Sequence, residues 1–254
     1  MSAPVLRRVA DADAVARTAA ELVVEAASRA VAYRGRFTVA LSGGSTPRRL
    51  YALLADASGP FHGRVAWRLT HVFFGDERHV PPDHAESNYR MARETLLDRV
   101  APASVHRILA EMADANAAAA SYEAELRRFF GEGGGDVPPA FDLVLLGLGP
   151  DGHTASLFPG SAALDERVRW VVAPYVPTVQ AYRITLTLPV LARAREVVFL
   201  VSGREKARPL ADVLAPAPGV APLPAARVRP DAGGPIWIVD RDAAARLAGG
   251  PGEA

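Results

Sequence analysis

The 254-residue chain is 50% hydrophobic and 22% charged, a balance that excludes wholesale disorder and, at this length, supports a core without metal or disulfide staples. It has no cysteine, which removes disulfides, thiolate metal sites, iron–sulfur clusters and cysteine nucleophiles together. Its 29 basic and 28 acidic residues leave a net charge of +1, too little for a global field that would hold nucleic acid or an anionic membrane, although a local cationic pocket remains open.

No run approaches the roughly 18 apolar residues of a membrane-spanning helix, and the first residues, Met1 to Arg8, lack the apolar core of a signal peptide. A cytoplasmic protein is the expectation. The length fits one α/β domain over 1–254, with a frayed Gly- and Pro-rich tail at 248–254. Only one of the basic residues is a lysine, Lys206. Among so many arginines it reads either as a chance surface residue or as a place needing a compact, flexible ammonium.

Taken in chain order, residues 11–33 recur apolar at helical spacing and predict an amphipathic helix. Phe37–Leu41 is a short apolar run, a buried strand entering the turn Ser42-Gly43-Gly44, after which Thr46 is placed as N-cap and Pro47 as first residue of a helix. Val72–Phe74 is a second strand, stopped by Gly75-Asp76. Helices are predicted over Asn88–Arg99 and Ala115–Phe130, and a loop over Gly133–Pro139. Phe141–Leu146 is apolar on both faces, as a parallel strand between helical layers should be. Further strands are predicted near Trp170–Ala173, Tyr182–Leu188, Val197–Val201 and Ile236–Val239, with a helix over Arg204–Leu214 and a Pro- and Gly-rich surface meander at 215–235. The alternation argues for an α/β fold in which a mostly parallel sheet is covered on both faces. Ligands of such sheets sit beyond the carboxyl ends of the strands, so the residues just after strands are the ones to weigh.

Three polar turns follow strands. Ser42-Gly43-Gly44-Ser45-Thr46-Pro47 reads either as a plain tight turn or as an anion cradle, with backbone and hydroxyl donors at a helix start. Gly75-Asp76-Glu77-Arg78 reads either as a self-satisfied ion pair or as a site in which Asp76 handles sugar hydroxyls and Arg78 grips a phosphate. Gly147-Leu148-Gly149-Pro150-Asp151-Gly152-His153 contains a literal G-x-G-x-x-G. A dinucleotide fingerprint would open a long helix and be followed about 20 residues on by an acidic residue, whereas Pro159-Gly160 intervenes and Asp165 and Glu166 come too early. What the turn supplies is His153 beside Asp151, at an expected helix start, where an imidazole can serve as general base near neutral pH. No H-x-x-x-H pair suggests a metal site, and Ser156 is not in a G-x-S-x-G elbow, so any hydrolysis would use activated water. Arg183, on a strand, and Lys206, at a helix start where a cation opposes the dipole unless an anion binds, are further anion ligands to weigh.

Leu41–Pro47, Phe74–Arg78, Ser87-Asn88-Tyr89, Gly147–Pro159, Arg183–Thr187 and the Gly203…Lys206 segment, in that order and over about residues 5 to 245, resemble the 6-phosphogluconolactonases. The resemblance implies a three-layer α/β/α Rossmann-like fold, and hydrolysis of 6-phospho-D-glucono-1,5-lactone to 6-phosphogluconate in the second step of the oxidative pentose phosphate pathway, with no cofactor and no metal. It implies that His153 activates water, with Asp151 and Asp76 as catalytic candidates serving either chemistry or scaffolding. Ser42, Gly43, Gly44, Ser45, Thr46, Arg78, Arg183 and Lys206 would hold the substrate phosphate. The expected partner is the small sugar-phosphate lactone, not nucleic acid or membrane, with the chain a monomer or small homo-oligomer. The glucosamine-6-phosphate deaminases and isomerases resemble the chain next by motif, but they carry a Glu five residues after the histidine, where this chain has Phe158. Ring opening or proton transfer between carbons needs that second carboxylate, whereas a lactonase needs water, a base and a place for the oxyanion.

Overall fold

The computed structural model describes residues 3–131, 137–217 and 219–247. The expected loop at 133–139 falls partly, and the expected frayed tail wholly, outside the described residues.

Strands covered on both faces have none to give to water, and they form the centre of the molecule. In β2 (Phe37–Leu41), β6 (Leu143–Leu146) and β10 (Val197–Val201) every residue is buried, although neighbours along a strand point to opposite faces. They join β1 (Val5–Val9), β3 (Thr70–Phe74), β5 (Ser104–Val105) and β11 (Ile236–Asp240) in a seven-stranded sheet of order β1-β11-β10-β6-β2-β3-β5. Every pairing in it is parallel. The expectation of an α/β fold on a mostly parallel sheet is met, and the three strands before the polar turns, β3, β2 and β6, are neighbours running the same way. Their turns open at one end of the sheet.

Helices cover the sheet. The first, α1 (Ala12–Arg34), starts where the Asp11 side chain accepts the Ala14 N–H and ends with Arg34 in its last turn, both favourable to the helix dipole. It packs against α2 (Ser45–Ala55) and the strands beneath. The start of α2 corrects the expected cap. Gly44, at φ +110, is the N-cap, its carbonyl accepting the Arg48 N–H at 3.1 Å, so Thr46 lies inside the first turn and Pro47 is the third helical residue. Pro costs nothing there, because the first N–H groups of a helix have no partner within it.

Four other expectations change. The Asn88–Arg99 helix is a short α3 (Asn88–Ala92) that widens into a π turn over Arg93–Leu97. The 204–214 helix divides into a 3-10 turn, Arg204–Lys206, and α6 (Ala207–Leu214), whereas α4 (Ala115–Phe130) has the expected bounds. The 182–188 strand does not join the parallel sheet. It is β9 (Ala181–Leu186), before α5 (Leu188–Arg193), and it pairs antiparallel with β4 (Asp76–Arg78), β7 (Val171–Val172) and β8 (Tyr175–Val176) in a small second sheet. Finally, the 215–235 segment is not all surface: Pro224, Ala225 and Val228 are buried, and Ala225 donates to the Gly152 carbonyl at 3.1 Å.

Candidate active site

Two buried tyrosines finish the strands that lead into the site. The Tyr51 hydroxyl accepts the Ser42 N–H at 3.0 Å and donates to the Ser42 carbonyl at 2.8 Å. Tyr122 does the same for Phe74, at 2.9 and 3.0 Å. Burial pushes both phenols above their ordinary range, so they stay neutral and keep both roles. In the turn after β2, the Ser42 hydroxyl is buried and has no hydrogen-bond partner. An orphaned buried hydroxyl is uncommon in a native protein.

The turn after β6 carries His153, and no helix follows it. The expected helix start is replaced by a loop: Gly149 donates to the His153 carbonyl at 2.8 Å, Gly152 to the Gly149 carbonyl at 3.1 Å, and Leu157 to the Thr154 carbonyl at 2.9 Å. Gly152 at φ +80 and Ala155 at φ +47 interrupt any helical path. The loop also lacks the long helix that a dinucleotide fingerprint opens. The imidazole lies over Gly149, where a Cβ would come within 2.1 Å of Nδ1, so glycine is required under the ring. Nδ1 is 2.5 Å from Asp151 Oδ1, and the same oxygen accepts the His153 N–H at 3.1 Å. A carboxylate only accepts, so this bond puts the proton on Nδ1 and leaves the Nε2 lone pair free. One ring face stacks on Phe158 at 4.1 Å and 30°. The side chain remains 24% exposed, so the ring is neither sealed in the core nor fully solvated.

Asp76, Glu77 and Arg78 form β4, and the self-satisfied ion pair is not present. Arg78 bonds the Glu86 carbonyl and pairs with no carboxylate among the described residues. Glu77 turns away to cap α3: its carboxylate accepts the N–H groups of Arg78, Asn88 and Tyr89 at 2.7, 2.7 and 2.8 Å, and the Ser87 hydroxyl at 3.1 Å. Burial raises its pKa above the ordinary carboxylate value, and the three N–H bonds offset part of that rise. Asp76 is 7% exposed and accepts from Asn88 Nδ2 and Ser156 Oγ.

Across the ladder, Arg183 on β9 is the register partner of Arg78. Like charges directly opposite one another on a sheet repel, and burial, with Arg78 next in effect, lowers the Arg183 pKa below its ordinary value. The Arg183 guanidinium has no hydrogen bond or ion pair among the described residues, and neither has the Lys206 ammonium. Lys206 ends the 3-10 turn after β10, the strand beside β6, at the same end of the sheet as His153.

Contacts thus bring together the turn after β2, β4, β9 and the His153 turn: Ser156 bonds both Asp76 and Thr185, and Gly43 lies against Asn88. Lys206 joins them by topology, with no bond linking it to the others. The sequence reading left Asn88 and Ser156 without a role, although both lie within the quoted motifs. A cleft of about 830 Å³ between α6 and residues 222–237 holds none of these groups. Among the described residues no cluster of metal-ligating side chains occurs, and no helix is long and apolar enough to cross a membrane.

Comparison with known proteins gives the same neighbourhood. The family model described as glucosamine-6-phosphate isomerases/6-phosphogluconolactonase matches residues 10–237. A Synechocystis sp. protein named 6-phosphogluconolactonase is 44% identical over 222 residues, covering 87% of this chain and 88% of its own length. A rat protein of that name is 42% identical over 238 residues, covering 92% and 90%. The solved 6-phosphogluconolactonase from Trypanosoma cruzi superposes with a TM-score of 0.83 at 33% identity, covering 98% of this chain and 99% of that one.

Proposed function

The chain belongs to the glucosamine-6-phosphate isomerase/6-phosphogluconolactonase family, and from that premise we propose that it is a lactone hydrolase that converts 6-phospho-D-glucono-1,5-lactone to 6-phospho-D-gluconate in the pentose phosphate pathway. The observation that carries the reading is the pair Arg78 and Arg183, opposed across two strands with no carboxylate bonded to either guanidinium among the described residues, next to a turn that holds His153 with Nε2 unpartnered.

In this reading the sugar phosphate lies between the two guanidiniums and Lys206, which relieves their mutual repulsion. The free Ser42 hydroxyl and the Gly43–Thr46 turn supply further donors. Anchoring the far end of the lactone contributes to orientation at its carbonyl. His153 Nε2 takes a proton from water as the water oxygen bonds to the carbonyl carbon, and charge develops on the carbonyl oxygen. The tetrahedral centre then collapses, the bond to the ring oxygen breaks, and that oxygen leaves as a hydroxyl carrying the proton from the imidazolium. Asp151 fixes the tautomer and steadies the cationic ring. Asp76, buried and bonded to Ser156 and Asn88, scaffolds the site. The reaction takes place with no metal or cofactor, in a soluble cytoplasmic protein.

The rival within the family is ring-opening chemistry on an amino sugar phosphate. The position that would carry its extra carboxylate is Phe158, whose ring packs on the imidazole. A coupled assay with freshly generated 6-phosphogluconolactone, corrected for spontaneous opening, separates the two. Turnover of the lactone and none of glucosamine 6-phosphate is expected, and the reverse result overturns the reading.

A further inference from the structure

The aspartate between the two halves of the site is hydrogen-bonded only to neutral groups, with the Arg183 charge acting on it from further away. Asp76 Oδ2 accepts from Ser156 Oγ at 2.7 Å and Oδ1 from Asn88 Nδ2 at 3.3 Å, and the same amide donates to the Asp76 carbonyl at 2.9 Å. A buried carboxylate that makes no ion pair is costly to keep, and an apolar filling of the same space would avoid the cost. The arrangement calls for a task that packing does not supply.

Each partner of Asp76 belongs to a different half. Ser156 lies three residues beyond His153, and its own N–H donates at 3.2 Å to Thr185 Oγ1, on the strand residue that pairs with Asp76. Asn88 opens α3 with its N–H fixed on Glu77, and its amide lies so close to Gly43 that a Cβ there would come within 1.8 Å of Oδ1. From these contacts we infer that Asn88, Asp76 and Ser156 form a strut that sets the spacing between the His153 turn and the Ser42–Thr46 turn. The inference rests on the lactonase reading above. Asn88 and Ser156 are positioning residues: they act through the turns and touch no reacting atom. Ser156 holds the base, so its loss falls on turnover. Asn88 holds the anion turn, so its loss falls on substrate affinity.

The test is steady-state kinetics of Ser156→Ala, Asn88→Ala and the double variant on 6-phosphogluconolactone, alongside His153→Ala, with thermal melts to show that each is folded. Ser156→Ala should lower kcat tenfold or more with KM within twofold, since small misplacements of a reacting group are costly. Asn88→Ala should raise KM about tenfold with a smaller change in kcat. The double variant should lose less in kcat/KM than the product of the single losses, because either cut releases the strut. Ser156→Cys, with a weak donor of similar size, should recover part of kcat and replaces the alanine variant if that one does not fold. Wild-type kcat in Ser156→Ala, or losses that simply multiply, would overturn the strut. If His153→Ala also keeps full turnover, it is the lactonase mechanism that fails instead.

Discussion

Two aspartates, buried almost equally at opposite ends of the parallel sheet, have opposite surroundings. Asp142, 5% exposed before β6, accepts the N–H and hydroxyl of Thr38 at 2.8 and 2.9 Å and pairs with Arg34 at 2.8 Å and Arg195 at 3.4 Å. Asp76, 7% exposed just past β3, has an amide and a hydroxyl, while Arg78, Arg183 and Lys206 at the same end of the sheet form no ion pair among the described residues. At the first end charge is neutralised where it stands, and the arrangement serves the fold. At the second, two guanidiniums face one another across a ladder and the carboxylates near Arg183 act on it without forming an ion pair, the pattern expected where a ligand completes the electrostatics.

The difference can be broken at either end. Asp142→Ala should cost about 3 kcal/mol of stability, because it orphans the Thr38 donors and removes two ion pairs. Denaturant unfolding reads that loss, while kcat per folded molecule should stay at the wild-type value. An equal loss of kcat would mean that the two ends are not separable. At the other end, Arg183→Ala should raise KM for the phosphorylated lactone roughly 30- to 100-fold, the worth of a charge-assisted bidentate contact. It should leave hydrolysis of an unphosphorylated lactone unchanged. Lys206→Ala should act in the same direction at about tenfold, a single ammonium contact being weaker than a fork. Equal activity of either variant on both lactones would remove that residue from the phosphate site.

The smallest effect expected is on pH. Glu77 has a raised pKa in the folded chain, against 4.5 unfolded. Its protonated form therefore adds stability that is complete below pH 4.5 and is lost as pH rises through the raised value. Between pH 4.5 and 7 the wild type should lose more unfolding free energy than Glu77→Gln does, other groups cancelling in the comparison. An identical pH slope in the two proteins would refute the shift.

The parallel sheet was legible because a strand covered on both faces is almost wholly apolar: Phe37–Leu41, with Thr38 its one polar residue, and Val197–Val201 can be bounded to the residue from composition alone. The His153 turn was legible for a related reason, since Gly149 and Gly152 must be small where the ring and the loop close up. What was illegible is tertiary. Asp-Glu-Arg becomes a strand only by pairing with β9, more than 100 positions away. The loop after His153 looked like a helix start because positive φ at Ala155 has no local signature. Asn88 and Ser156 reach Asp76 across 12 and 80 residues, distances over which spacing carries no information.

The most direct test of the whole account is the turnover of His153→Ala on freshly generated 6-phosphogluconolactone, measured against the spontaneous rate. A positioned general base is worth about 10²- to 10⁴-fold, so kcat should fall by that order while KM, which the proposed phosphate ligands Arg78, Arg183 and Lys206 would set, stays within about threefold of wild type. Full turnover without the imidazole would contradict it.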